Sequence, residues 1–318
     1  MILTVTLNPA LDRTMTVPNF HVGFRHRATD TVVHPGGKGV NVARAAKTLG
    51  RPVVATGFVG GHKGEQILSD LNDEGILSDF VRIEGESITH TAVIDSTTGV
   101  VTEINEHGPE VTPEEFERIY EKLDYLGKSA DIVVMAGSLP RGVPEDCFAK
   151  MIQRLRRYDV KIVFYTYGEP LRLGIKAGPD IVFPKSVEAE RIIGYEFNDR
   201  ADELRAVERL CTMGAGSAVM TSRYRCVAQL AEDGRPRHYV AVAPKVEIVS
   251  PMGWGDALVA GYCCRMLEGD APVDCLRFGM GCAAANLTRF GAGAFSVEEA
   301  TELAKRVDLQ EVPAERQG

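Results

Sequence analysis

Apolar and polar residues alternate along this chain in blocks that predict strands followed by helices. Apolar runs such as ILTVTL at 2–7 and ADIVVMAGS at 130–138 are typical of buried strands. In GVNVARAAKTLG at 39–50 the apolar residues recur at helical spacing, and GDALVAGYCCRMLEG at 255–269 is apolar on nearly every face, as in a buried helix. Further strands are predicted at 52–60, 161–166, 180–184 and 215–222, and further helices at 64–75 and 144–158. The alternation predicts an α/β fold with a mostly parallel sheet covered by helices on both faces.

Two segments break this rhythm with alternating residues rich in threonine and valine. Residues 13–34 form one of them, and residues 88–106 form the other, which reads as a hairpin with its turn near 96–99. Both predict antiparallel strands of a small sheet that stands apart from the main one and serves as a lid. We expect a single domain over residues 1–318 with these lid strands inserted, and a frayed polar tail at 309–318.

Composition narrows the classes of partner. A formal net charge of −8 over 318 residues argues against nucleic acid, because phosphate backbones attract basic surfaces, although one basic pocket suffices for a phosphorylated small molecule. The seven cysteines include no CxxC pair, which predicts free thiols in a reducing compartment. The N-terminus lacks the features of a signal peptide, and no apolar run approaches the roughly 20 residues that span a bilayer. These features predict a cytoplasmic protein with no membrane partner.

Glycine-rich turns at predicted strand–helix junctions are the first candidates for chemistry. In PGGKGVNVAR, Gly36, Gly37 and Gly39 precede a helix whose free N–H groups favour anions, Lys38 adds a positive charge, and Asn41 can hold a hydroxyl. The spacing is not that of a P-loop. The alternative interpretation is an ordinary glycine-rich turn with a solvated lysine.

Two further loops follow predicted strands, where α/β proteins bind ligands. Asp12 in TLNPALDRT can accept hydrogen bonds from sugar hydroxyls, or it can be a simple turn aspartate. Ser138 lies in AGSLPRGV, which is either a binding loop or a connection to the helix that Pro144 opens.

The string GWGD at 253–256 places the only tryptophan between two glycines just before the buried helix. Backbone N–H groups of Gly253, Trp254 and Gly255 can form an anion hole for a phosphoryl group, and Asp256 can take the proton from an attacking hydroxyl. The alternative is that Asp256 only caps the helix.

Taken together, PGGKGVNVAR, GWGDALVAGY and AGSLPRGV resemble the signatures of the PfkB (ribokinase-like) sugar kinase family, most of all its branch of 1-phosphofructokinases and tagatose-6-phosphate kinases. The resemblance runs from TLNPALDRT to GCAAANLTRFGAG at 281–293. It implies a three-layer α/β/α sandwich with a β-sheet lid that often forms a dimer interface. It also implies transfer of the γ-phosphoryl group of ATP, with Mg²⁺, to a hydroxyl of a sugar phosphate such as fructose 1-phosphate or tagatose 6-phosphate.

The resemblance also assigns roles to single residues. Asp256 is the general base, and the 253–255 turn is the anion hole. The residues implied to bind the sugar phosphate are Asp12, Arg27, Gly36, Gly37, Lys38, Asn41, His90 and Ser138. Those implied to bind the nucleotide are Lys185, Glu188, Thr221, Arg223 and Asn286, with Glu188 also serving the metal.

Several positions depart from the family pattern. Trp254 replaces alanine or serine, Tyr165 replaces an aspartate, Lys185 an asparagine and Arg223 a glycine, while His90 stands where the branch carries an arginine for the substrate phosphate. Three functions therefore stay open: a sugar kinase with a reshaped donor site, a weak or inactive relative that binds a sugar phosphate or nucleotide as a regulator, and a kinase with another donor or acceptor.

Overall fold

Fifteen strands and ten α-helices form over residues 1–313, the part of the chain that the structure, a computed structural model, describes. The strands are β1 Ile2–Thr6, β2 Ala10–Thr16, β3 Asp30–Gly36, β4 Val53–Gly60, β5 Leu77–Ser78, β6 Val81–Ile83, β7 Ile88–Ile94, β8 Val101–Asn105, β9 Ile132–Ala136, β10 Lys161–Tyr165, β11 Ile181–Val182, β12 Ser217–Ser222, β13 Arg225–Glu232, β14 Arg235–Val242 and β15 Asp308–Val312. The α-helices are α1 Lys38–Thr48, α2 Gly61–Asp73, α3 Pro113–Leu126, α4 Cys147–Leu155, α5 Gly168–Ile175, α6 Ser186–Ile193, α7 Arg200–Thr212, α8 Trp254–Glu268, α9 Pro272–Leu287 and α10 Val297–Lys305.

The main sheet has 11 strands in the order β15-β14-β13-β12-β11-β10-β9-β1-β4-β5, with β6 also paired to β4. Strands β12 to β5 in this order run parallel, and β13, β14 and β15 add an antiparallel edge. The predicted mostly parallel sheet is confirmed.

Helices cover both faces of the main sheet, because its central strands are apolar on both sides. In β9, Ile132 and Val134 face one core while Val133 and Met135 face the other. The first core is completed by α1, α2, α8, α9 and α10, and the second by α3 to α7. The result is the predicted three-layer α/β/α sandwich.

The small sheet has the order β3-β2-β7-β8 and uses the two segments that the alternation singled out. Each of its hairpins is antiparallel, but β2 and β7 pair in parallel, so the expectation of antiparallel strands throughout was wrong at the centre of the sheet. This parallel pair sets His90 of β7 beside Asp12 of β2.

The prediction of a frayed tail was also wrong for its first part. Residues 308–312 form β15, which pairs with β14 from Asp308↔Val242 to Val312↔His238. The strand reads as polar because, as an edge strand, it leaves most of its side chains in water. The last five residues of the predicted tail, 314–318, lie outside the described part.

Candidate active site

The predicted site residues gather along the carboxyl edge of the parallel strands, where α/β folds place ligands. Ser138 follows β9, Tyr165 ends β10, Lys185 follows β11 and Thr221 lies near the end of β12. Helix α8 starts at this edge with Trp254. Parallel pairing thus brings together residues that are far apart in the sequence.

Close packing accounts for both glycines around Trp254. Gly253 precedes α8 with a left-handed backbone (φ 78°), and a Cβ there would collide with Ala292. A Cβ on Gly255 would overlap the hydroxyl oxygen of Tyr165. Only the middle position has room for a side chain, and the Trp254 indole packs edge-on to Tyr224 with ring centroids 6.2 Å apart.

Asp256 lies in the first turn of α8 and is 6% exposed. The N-cap of α8 is Gly253, three residues before Asp256, so Asp256 is not the capping residue of this helix. Asp256 Oδ2 accepts a hydrogen bond of 2.8 Å from Asn41 Nδ2, and the Tyr165 hydroxyl lies on the same side, against the preceding residue Gly255. Burial raises the pKa of Asp256, whereas the bond from Asn41, the charge of Lys38 and the bond from Tyr165 oppose that rise.

Lys38, at the start of α1, lies beneath two aromatic rings. Its Nζ is 4.2 Å from the ring centroid of Tyr165 and 5.1 Å from that of Tyr167. Burial lowers the pKa of Lys38 to about 8; the carboxylate of Asp256 opposes this shift and the charge of Lys185 adds to it. A half-buried ammonium in the electrostatic field of Asp256 is a ready partner for a ligand oxygen.

On the side of the small sheet, Asp12 faces His90, with His90 Nδ1 3.2 Å from Asp12 Oδ1. That oxygen is buried and receives no hydrogen bond from any residue that the structure describes, so it is available to a ligand hydroxyl. The Asp12 carboxyl lies so close to Gly36 that any side chain there would overlap it. Gly37 has a left-handed φ of 99°, which favours glycine at the turn into α1.

Ser138 follows β9, the neighbour of β1 in the main sheet, and Asn8 Nδ2, just beyond β1, donates to its Oγ at 3.1 Å. Arg27, by contrast, is exposed in the loop beyond the last β2–β3 pair, Thr16↔Asp30. That pair lies four strand positions, or about 13 Å, beyond Asp12. The structure does not bring Arg27 to the other site residues.

The residues predicted to bind the nucleotide lie in three parts of the fold: around β11, α6 and β12, in the β12–β13 turn, and in α9. Lys185 and Thr221 form a parallel bridge, and Glu188 accepts hydrogen bonds from Gly168 N at 3.4 Å and Arg191 Nη1 at 3.2 Å. Arg223 lies in the turn between β12 and β13 with φ 46°, a left-handed conformation that explains why a glycine suits this position.

Asn286 is fully buried and braces the loops around the start of α8. Its Nδ2 donates to Met252 O at 2.6 Å, and its Oδ1 accepts from Gly293 N at 2.8 Å. Both bonds hold the loops at Met252 and Gly293 in place. A contact of Asn286 with the nucleotide stays a prediction.

Sequence reasoning missed two contacts that shape the site. It treated Tyr165 as a departure on the nucleotide side, whereas the Tyr165 hydroxyl lies at Gly255, directly beside the candidate base. It gave no role to Asn8, which follows β1 in the same motif as Asp12 and holds Ser138. The position of Asn8 just after a strand was the available signal.

Comparison with known proteins identifies the class. Residues 5–300 match the model of the pfkB family carbohydrate kinases, so the chain belongs to that family. It is 30% identical to a 1-phosphofructokinase of Vibrio cholerae over 97% of this chain and 96% of the relative. It is similar to the structure of a possible 1-phosphofructokinase of Thermotoga maritima (28% identity, TM-score 0.90, 98% of this chain and 100% of the other). It is also similar to phosphofructokinase-2 of Escherichia coli in complex with fructose-6-phosphate (25% identity, TM-score 0.87, 96% and 98%).

Family membership confirms the predicted enzyme class, a phosphotransferase with an alcohol group as acceptor, and a carbohydrate kinase uses ATP as its donor. All seven cysteines are free, as predicted. In residues 1–313, no helix has the length and apolar character needed to cross a bilayer.

Proposed function

We propose that this protein is an ATP-dependent kinase of a phosphorylated ketohexose, either fructose 1-phosphate or tagatose 6-phosphate. The observation that carries the proposal is the buried carboxylate of Asp256 in the first turn of α8, held by Asn41 at 2.8 Å. The names of the Vibrio and Thermotoga relatives favour fructose 1-phosphate.

In this proposal the acceptor sugar lies between the small sheet and α1. The free Oδ1 of Asp12 accepts a sugar hydroxyl, and Gly36, Gly37 and Asn41 line the same side. His90 and Ser138 are proposed to contact the substrate phosphate, whereas the exposed loop position of Arg27 does not support the contact expected for it. His90 is a weaker phosphate ligand than an arginine, because a neutral imidazole donates only one hydrogen bond.

Asp256 takes the proton from the attacking hydroxyl as the bond from the sugar oxygen to the γ-phosphorus of ATP forms and the bond from that phosphorus to ADP breaks, so that ADP is the leaving group. The first N–H groups of a helix have no acceptor within it, so those of the 253–255 turn and the start of α8 are proposed to stabilise charge on the transferring phosphoryl group. Lys38 adds positive charge on the same side. Most of the catalysis is then positioning and charge stabilisation, as phosphoryl transfer requires.

On the donor side, Lys185, Thr221, Arg223 and Asn286 are proposed to bind ATP or support its loop. Glu188 fits a Mg²⁺ ion that arrives on the nucleotide, since magnesium in kinases takes one or two carboxylates together with phosphate oxygens and water. Its side chain is only 14% exposed and already has two donors, which suits contact through a metal-bound water. Such an ion would neutralise charge on the donor phosphates.

The small sheet is proposed to act as the lid and as a homodimer interface. Apolar side chains on its edge strands face solvent, with Val32 41%, Val33 40% and Ile104 61% exposed. A second copy of the chain would cover them. Light scattering of the purified protein tests this directly, and a monomer at micromolar concentration would exclude it. We place the protein in the cytoplasm, in keeping with its seven free thiols.

The deciding experiment is a coupled kinase assay with Mg-ATP and a panel of sugars and sugar phosphates, together with a thermal-shift screen of the same compounds. Replacing Asp256→Asn should lower kcat about 10²–10⁴-fold while substrate still shifts the melting temperature. Unchanged turnover would refute the base assignment. Binding without turnover of any compound would instead favour the regulator.

A further inference from the structure

Tyr165 occupies the junction between the sheet and the start of α8. It is the last residue of β10 and is 5% exposed, and its hydroxyl lies so close to Gly255 that a Cβ there would overlap it, which places the phenol beside the Asp256 carboxyl that follows in the chain. The contact with Gly255 fixes the phenol ring, because the helix backbone leaves no room for it to move toward α8.

The face of the same ring carries the Lys38 ammonium, 4.2 Å from its centroid. A cation over an aromatic face is attracted by the ring quadrupole, most strongly where water is excluded. One side chain therefore contacts the candidate base through its edge and the candidate substrate lysine through its face.

We propose that Tyr165 is a positioning residue for phosphoryl transfer, orienting the Asp256 carboxylate with its hydroxyl and holding Lys38 beside that carboxylate with its ring. This inference rests on the proposed function, in which Asp256 is the base. It gives the tyrosine a task that no assignment by resemblance includes.

The electrostatics agree with this geometry. Burial keeps the pKa of Tyr165 well above its usual value, so the phenol stays protonated and acts as a donor. A donor to a buried carboxylate favours its ionised form, which is the form that accepts a proton. The groups facing Asp256 are Asn41 and Lys38 from α1, Tyr165 from β10 and Asp12 from β2; the last raises the Asp256 pKa, and the other three lower it.

The test is the pH profile of kcat/KM for Tyr165→Phe, which removes the hydroxyl and keeps the ring. Without this donor the ionised carboxylate is less favoured, so the acid limb should move to higher pH, and the rate on that limb should fall about tenfold. The plateau between the acid limb and pH 8 should stay within about threefold, because Asn41 still holds the ionised carboxylate there. A general loss of structure would lower both regions together.

Tyr262→Phe is the matched control, because it removes a buried tyrosine hydroxyl from α8 two turns beyond Asp256. Its profile should overlay that of the wild type. Gly255→Ala breaks the same contact from the other side, since its Cβ would push the Tyr165 hydroxyl away, and its acid limb should move in the same direction.

An acid limb of Tyr165→Phe that coincides with that of the wild type would overturn the inference while leaving the kinase proposal intact. Carboxyl ¹³C NMR of the ligand-free protein, with Asp256 assigned from Asp256→Asn, gives a readout that needs no turnover. The Asp256 titration should move upward in Tyr165→Phe, and an unmoved titration would refute the inference even if the wild type proved inactive.

Discussion

Replacing Trp254 by alanine tests whether the indole is part of the core or crowds the phosphate site. The side chain is only 8% exposed. An aromatic residue of this kind buries roughly 150–250 Å², which at about 25 cal/mol per Å² stabilises the fold by about 4–6 kcal/mol. Its Nε1 is buried, and the residues that the structure describes offer it no acceptor, so removing it returns about 1–3 kcal/mol. The expected net loss is about 2–4 kcal/mol.

Urea unfolding followed by far-UV circular dichroism measures this loss, since the only tryptophan is the one removed. With an m-value of about 3 kcal/mol/M, the midpoint should fall by about 1 M in Trp254→Ala. Trp254→Phe keeps the ring contact with Tyr224 and removes the unpaired N–H, so its midpoint should stay within about 0.3 M of the wild type. Tyr125→Ala, at a side chain 72% exposed, is the surface control. If Trp254→Ala and Tyr125→Ala had the same urea midpoint, the indole would not belong to the core and the reasoning would fail.

Two further predictions concern neighbouring parts of the site. Arg223→Gly removes the strain of a left-handed arginine, which outweighs the added chain entropy of glycine, so the free energy of unfolding should rise by about 0.5–1 kcal/mol. The KM for ATP should rise as well, because the arginine is proposed to bind the nucleotide. Arg235→Gly, inside strand β14, is the control and should lower the free energy of unfolding. Lys38 has a pKa of about 8 in the folded chain, against 10.5 in the unfolded chain. Between these two pH values the unfolded chain binds more protons than the folded chain, so this group makes the free energy of unfolding rise with pH. Substrate affinity should fall above pH 8 as the charge is lost, and Lys38→Arg should abolish both effects; an alkaline limb that persisted in that variant would assign the titration to another group.

Much of the fold could be predicted because buried parallel strands are short apolar runs and the helices between them carry an apolar face. The antiparallel edge was harder to predict. Gln229 interrupts the apolar run of β13, and β15 carries Asp308, Gln310 and Glu311, because side chains at these positions are partly or fully exposed to water. The parallel pairing of β2 with β7 could not be predicted from either hairpin alone, since it depends on how the two hairpins dock.

The site shows the same division between local and long-range information. Turn residues such as Gly37 and Gly253 were identifiable because their backbone conformations demand glycine at motifs that precede a helix. The contact of Tyr165 with Gly255 joins residues 90 positions apart and depends on where the end of β10 meets the first turn of α8. No local pattern encodes that meeting point.

The departures from the family pattern on the nucleotide side are physically linked. Tyr165 contacts Gly255, the neighbouring Trp254 packs on Tyr224, and Tyr224 follows Arg223 in the same turn. Residues in contact share their energetic effects, so changes along such a chain are not additive. A small side chain at 254 alone would leave Tyr224 without its partner, and an aspartate at 165 alone would place a second carboxylate beside Asp256. The replacements at 165, 254 and 223 therefore lie along one connected surface that runs from the end of β10 through the start of α8 to the β12–β13 turn.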